Sequence, residues 1–194
     1  MEVKPGSCVY ILDDVISDEL CETIKIIIDN TLGYMEEYAA HSNVQSKTVK
    51  IEQFENKKFA DIIDKEIFKV VNRVVKRISD INPDLIDIFG DSGYQLRKIH
   101  GETREHIDGV FPGLIPDIKE NPKIHIRDIR KASLIIALND DYEGGEFYFN
   151  YQDIKVRLKK GQCIVFPPYW THPHMVSKPE NGTVRYTINT WLSE

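Results

Sequence analysis

Apolar positions in the first ninety residues recur with helical spacing, whereas those after residue 93 alternate or cluster in short runs. Leu20, Ile24, Ile27 and Ile28 follow Ser17-Asp18-Glu19, a hydroxyl N-cap and two acids suited to the positive end of a helix. That pattern predicts a helix over about 17–31. A longer stripe, Phe59, Ile62, Ile63, Ile67, Val70, Val71, Val74 and Ile78, predicts a second amphipathic helix over 57–80, stopped by Asn82-Pro83. The apolar run at 8–16 reads as a strand. Between the helices, 32–56 is polar and mixed and predicts a loop with an edge strand around 47–53.

Strands are expected at Tyr94–Ile99, Ser133–Leu138, Glu146–Tyr151, Ile154–Leu158, Gln162–Phe166 and Val184–Leu192. Turn signals separate several of them: Gly144-Gly145, Lys160-Gly161, Pro167-Pro168 and Asn181-Gly182. Helices first and short strands afterwards predict an α+β fold whose second half is a sandwich or jelly roll. The stretch 109–131, with Pro112, Pro116 and Pro122, is longer than an ordinary connection and reads as a lid or recognition segment.

Composition narrows the class. With 194 residues the chain suits one domain, large enough to bury a core without disulfides. Three cysteines, Cys8, Cys21 and Cys163, form no paired pattern, and no signal-like or membrane-spanning run is visible, so a cytoplasmic protein off the membrane is expected. The net charge of −6 argues against nucleic acid as a partner.

The chemistry concentrates in His106-Ile107-Asp108 and His172-Pro173-His174. On a strand, residues i and i+2 share a face, so His106 and Asp108 would project an imidazole and a carboxylate together. Either downstream histidine would complete a two-histidine, one-carboxylate set, the arrangement associated with non-haem Fe(II). A His-x-Asp tripeptide alone arises readily by chance.

Its context adds specificity. GETREHIDG, SLIIALNDDYEGGEFYF, KVRLKKGQCIVFPPYWTHPH and NGTVRYTINTWL, in that order, resemble the Fe(II)- and 2-oxoglutarate-dependent oxygenases of the prolyl 4-hydroxylase type. The resemblance covers about 94–192 and, less specifically, the N-terminal VYILDDVISDELCETI. It implies a double-stranded β-helix (jelly roll) core at about 91–194, supported by N-terminal packing helices within about 1–90. The family places a glycine eight residues after its distal metal-binding histidine, and Gly182 stands in that relation to His174. His106, Asp108 and His174 are therefore the implied iron ligands, with His172 a rim or supporting residue. Arg185 is the implied anchor of the distal carboxylate of 2-oxoglutarate, a task that suits a guanidinium.

Strand parity puts Asn189 and Trp191 on the Arg185 face, where Asn189 would bond the cosubstrate and Trp191 would wall the pocket. Arg104, two before His106, would face the site and meet cosubstrate or a substrate carboxylate. The chain departs from the family in two places: Lys98 falls where a tyrosine is common, and Phe147 where a threonine follows Gly-Gly-Glu. His41, His100 and His125 read as ordinary loop or surface residues, Cys163 as a small buried hydrophobe, and Gly144-Gly145 as a tight turn with positive φ.

The function so implied is a dioxygenase using Fe(2+), 2-oxoglutarate and O2, with ascorbate as an auxiliary reductant, that hydroxylates a prolyl residue of a protein or peptide and releases succinate and CO2. Hydroxylation of a free amino acid or other small metabolite is the alternative within enzymes. A non-catalytic metal-binding jelly-roll protein is the alternative outside them.

Overall fold

The computed structural model describes residues 2–3, 6–31, 34–37, 45–83, 88, 90–109 and 130–193. Most of the segment expected to act as a lid, together with His41 and His125, lies outside these residues. Two helices, α1 (Asp18–Asn30) and α2 (Lys57–Ile81), fall where the apolar stripes predict them. Each begins on a side-chain cap: Ser17 Oγ accepts from the Leu20 amide and Asn56 Oδ1 from the Phe59 amide, satisfying amides the helix itself leaves open.

The strands, in chain order, are β1 (Glu2–Val3), β2 (Tyr10–Leu12), β3 (Tyr34–Glu37), β4 (Gln45–Lys50), β5 (Gly90–Asp91), β6 (Gln95–Ile99), β7 (Thr103–His106), β8 (Arg130–Ala137), β9 (Glu143–Gly144), β10 (Phe147–Phe149), β11 (Ile154–Val156), β12 (Cys163–Phe166), β13 (His174–Val176), β14 (Pro179–Glu180) and β15 (Arg185–Ser193). A major sheet runs β1-β2-β12-β8-β15-β6-β4-β3, with β5 also paired to β15, and a minor sheet runs β11-β10-β13-β7. A third, short ladder joins β14 to β9. The strand pairs of the two larger sheets are antiparallel among the described residues, which gives the jelly-roll arrangement expected of the second half of the chain.

At its centre, in β8, β12 and β15, the major sheet is buried on both faces. Leu134, Ile136, Cys163, Val165 and Ile188 join the helix residues Ile24, Ile28, Ile67 and Val71 in one core. The alternate residues, Ile135, Ala137, Ile164 and Phe166, pack against Phe147, Phe149 and Val176 of the minor sheet in a second. That division follows directly from the two-residue repeat of a strand. Cys163 sits fully in the helix-side core, and burial pushes its thiol up to about 12, so it behaves as a hydrophobe and not a nucleophile.

Two readings of the pattern need correction. On α2 the buried line is Ala60, Ile63, Ile67, Val70, Val71, Val74 and Ile78, while Phe59 and Ile62 stand exposed. Small Ala60 carries the stripe at its start, and a hydrophobic residue one position away on the wheel is turned outward. β4 is not an edge strand either: it pairs with β6 on one side and β3 on the other, and Ile51–Gln53 is a 3-10 turn.

Ile67 is fully buried, whereas Ile62 is 58% exposed. Ile67→Ala is expected to cost about 2–5 kcal/mol. Ile62→Ala should cost less than about 1 kcal/mol. Denaturant unfolding of the two variants checks the phase of the helix, and equal losses would contradict it.

Candidate metal and cosubstrate site

Strand pairing brings the first two donors together. In the β13–β7 ladder His174 stands directly opposite His106, so both rings project from one face with centroids 4.4 Å apart. Each imidazole is oriented through Nδ1: that of His106 lies 2.8 Å from the Arg104 carbonyl and that of His174 3.2 Å from the His172 carbonyl. A carbonyl only accepts, so Nδ1 carries the proton in both rings and Nε2 is directed inward. The ring of His174 is further fixed by Phe149, stacked at 5.4 Å, and by Phe166, edge-on at 4.6 Å.

Asp108 arrives differently. β7 ends at His106, so Asp108 lies beyond the strand and does not share its face by alternation, as the sequence pattern suggested. Three contacts position it instead. Arg130 Nη1 donates to the Asp108 carbonyl (2.6 Å), Ser133 Oγ donates to Oδ2 (2.7 Å), and the Gly109 amide donates to the Pro168 carbonyl (2.6 Å). The result is that His106 Nε2 lies 3.1 Å from Asp108 Oδ1 and His174 Nε2 lies 3.9 Å from Oδ2. Among the described residues, His106, Asp108 and His174 alone gather metal-binding atoms in this way, all within 4.8 Å.

The electrostatics suit a cation. Burial alone would raise the pKa of Asp108, but the His106 hydrogen bond, the charge of the neighbouring imidazoles and the Ser133 hydroxyl outweigh it and hold the carboxyl well below the usual range. Burial pushes His174 down to about 4, so this ring is neutral and its Nε2 lone pair is available. Burial also acts against protonation of His106, yet the hydrogen bond and charge of Asp108 raise its pKa overall. A proton on His106 Nε2 thus occupies a place that a metal ion would take.

The triad borders a cavity of about 340 Å³ between the two sheets. Arg185, Asn189 and Trp191, alternate residues of β15, line it as parity predicts. Arg185 is 4% exposed, and its Nε and Nη1 have no hydrogen-bond partner among the described residues. Its guanidinium rests 5.0 Å from the centroid of Phe147, the residue that stands in place of a threonine. Desolvation lowers its pKa to about 10, still far above neutrality, so the charge persists. Gly145 packs beside it: its φ is +66°, and a Cβ there would lie 2.8 Å from the Tyr142 ring and 3.6 Å from Arg185 Cδ.

Asn189 accepts from Thr187 Oγ1 at 2.7 Å, which leaves its amide nitrogen for a ligand or solvent, and Arg104 lines the mouth of the cavity as an exposed side chain. His172 does not line it. Its Nδ1 meets Thr171 Oγ1 and its Nε2 donates to the Ser7 carbonyl at 2.7 Å, so the ring ties the loop before β13 to the N-terminal segment. The residue lies outside the strand, and parity with His174 does not apply. Lys98 also faces away, toward Asp29 of α1 at 2.7 Å, and the neighbour that lines the cavity is Arg97. Ser133 and Arg130 escaped the sequence reading. Ser133 left a faint signal, as the polar member of the alternate set Ser133, Ile135, Ala137 in an otherwise apolar run.

Comparison with known proteins agrees with this geometry. The human protein named Prolyl 3-hydroxylase 2 is 25% identical over 97% of this chain, and the chain spans about 30% of that relative's length. Among solved structures, the viral collagen prolyl hydroxylase of Paramecium Bursaria Chlorella virus-1, in complex with 2-oxoglutarate, superposes with a TM-score of 0.66 at 16% identity, covering 97% of both chains. A Trichoplax adhaerens prolyl hydroxylase in complex with a hypoxia inducible factor peptide gives 0.67 at 17% identity, over 97% of this chain and 84% of that one. A Pseudomonas putida prolyl-4-hydroxylase gives 0.59 at 15% identity, over 97% and 94%. At such identities these likenesses speak for the fold. Residues 94–193, just over half of the chain and all three candidate donors among them, match the family model of the 2OG-Fe(II) oxygenase superfamily, and the chain belongs to that superfamily.

Proposed function

We propose that this dioxygenase hydroxylates a prolyl residue of a protein or peptide, with His106, Asp108 and His174 holding Fe(II) and Arg185 binding 2-oxoglutarate. The observation that carries the reading is the pairing, in one cavity, of a two-histidine, one-carboxylate donor set with a buried guanidinium whose Nε and Nη1 have no partner among the described residues. A carboxylate could accept a forked pair of hydrogen bonds from one edge of that guanidinium, which a single water could do only in part. The donor set is that of a non-haem ferrous site with open positions. The prolyl substrate follows the relatives, whose names share prolyl hydroxylation while differing in ring position and in peptide.

When bound, iron and 2-oxoglutarate together supply the oxidant that places one atom of O2 on a substrate carbon and the other in succinate, with loss of CO2. The chain's own contribution is placement. Backbone carbonyls aim both imidazoles, Ser133 and Arg130 fix Asp108, Phe149 and Phe166 pack against the His174 ring, and Phe147 gives the cavity an apolar wall. Asn189 adds a polar contact beside Arg185, Trp191 walls the opening, and ascorbate is expected to sustain turnover by keeping the metal ferrous. No described helix is long and apolar enough to cross a membrane.

Under anaerobic conditions Fe(II) with 2-oxoglutarate is expected to give a visible charge-transfer band that Asp108→Ala abolishes. His172→Ala should keep the band, since the carbonyl that orients His174 belongs to the backbone. Mass spectrometry of proline-containing peptides after aerobic turnover should show a gain of one oxygen, and oxidation confined to free amino acids would select the small-molecule alternative instead.

Arg185 gives a test independent of turnover. Removing an uncompensated buried charge stabilises the empty protein, so Arg185→Met is expected to raise its melting temperature. The same variant should lose the stabilisation that 2-oxoglutarate gives in the presence of metal, about 2.7 kcal/mol at a hundredfold excess over the dissociation constant. A melting temperature that falls in the empty state would show that the guanidinium is already satisfied.

A further inference from the structure

The described lining of the cavity carries four arginines, Arg97, Arg104, Arg130 and Arg185, against one carboxylate, Asp108, in a chain whose net charge is −6. Such a concentration of one sign in a cleft with apolar walls focuses the field on whatever enters. A divalent metal and a dicarboxylate bring equal and opposite charge, so loading the site with both leaves the excess unrelieved.

The four arginines have different employment. Arg185 faces the cosubstrate end. Arg130 is held by the Asp108 carbonyl and lies 4.0 Å over the Trp191 ring, and Arg97 donates to Ser46 Oγ at 3.1 Å. Arg104 differs from all three. It is exposed at the mouth, two residues from the donor His106, and no described acidic side chain meets it: the adjacent Glu105 turns to Asn150 at 3.0 Å. Its main-chain carbonyl holds His106, so the backbone from which the guanidinium extends is fixed relative to the metal donors.

We infer that Arg104 selects substrates bearing a carboxylate close to the carbon that is oxidised. The inference rests on the hydroxylase reading and names its substrate class: the anionic group is either an acidic side chain flanking the target residue of a peptide or the α-carboxylate of a free amino acid. An attraction of this kind acts most on capture, and is expected to favour the acidic member of a matched pair by on the order of tenfold in kcat/KM at low salt, shrinking as salt screens it.

The test uses the metal-loaded enzyme on a pool of synthetic peptides with one proline each, flanked by acidic, neutral or basic residues, together with free L-amino acids, with oxygen gain read by mass spectrometry. Enrichment of acidic-flanked peptides among the products supports the inference with the side chain as source, and products confined to free amino acids support it with the α-carboxylate as source. Neutral or basic peptides oxidised as readily as acidic ones overturn it while leaving the hydroxylase reading intact. Absence of any product overturns it too, and the charge-transfer band of the same preparation then decides separately whether the iron and 2-oxoglutarate site stands. Arg104→Glu is the second arm. Its product distribution should shift from acidic toward basic flanks, and an unchanged distribution would show that Arg104 does not set the preference.

Discussion

The site exists because β15 is buried on both faces and its two faces meet different interiors. Tyr186, Ile188 and Leu192 enter the core beneath the helices, whereas Arg185, Thr187 and Asn189 enter the space between the sheets. A strand has no third direction, so the polar set cannot escape to solvent without pulling the apolar set out of its core. The helix layer therefore does more than cover the sheet. By claiming one parity of β15, β8 and β12 it commits the other parity to the cleft, and the composition of that second set decides whether the cleft is packed shut with Ile164 and Phe166 or left open and polar.

A polar interior must be balanced, and here the balance is divided between protein and ligand. The imidazoles of His106 and His174 are each satisfied on one side by a main-chain carbonyl, which costs the site nothing in adaptability because no substitution can remove it. The inward sides are left to one another and to Asp108. Arg185 is the extreme case, a charge kept in the interior against a Phe147 ring while two of its nitrogens lack partners among the described residues. Desolvation of that charge opposes folding, and under the proposed function a carboxylate that relieved it would gain correspondingly in affinity.

Local pattern made the frame legible. Ser17 and the Leu20-to-Ile28 spacing locate α1, Asn82-Pro83 ends α2, and parity alone places Arg185, Asn189 and Trp191 on one wall. Legibility failed wherever a residue sits just outside a regular element. His172 and Asp108 both follow the i, i+2 rule on paper, yet each lies beyond its strand, one committed to Ser7 and the other to Ser133. Lys98 and Arg97 likewise differ by a single position, and the pairing of Thr187 with Arg97 in the β15–β6 ladder decides which of them shares the cavity face. Ile62 shows the same limit on a helix, because hydrophobicity alone does not settle which of two adjacent positions faces the core when Ala60 continues the stripe.

The three donors consequently differ in what holds them. His106 and His174 are opposed by a ladder register, so their separation is a property of the minor sheet and changes only if β7 slips against β13. Asp108 is fixed by side chains of β8 and by the Pro168 loop, contacts made between the two sheets. The carboxylate thus depends on the sheets being correctly packed on each other, while the histidine pair depends only on one of them. Arg130 joins these levels: it holds the Asp108 main chain with one nitrogen, covers Trp191 with its face, and its own carbonyl is held by the Tyr169 hydroxyl at 2.6 Å. A change in how Trp191 packs is therefore transmitted through one guanidinium to the position of the Asp108 carboxylate, which couples the β15 wall of the cavity to the candidate donor set by direct contact.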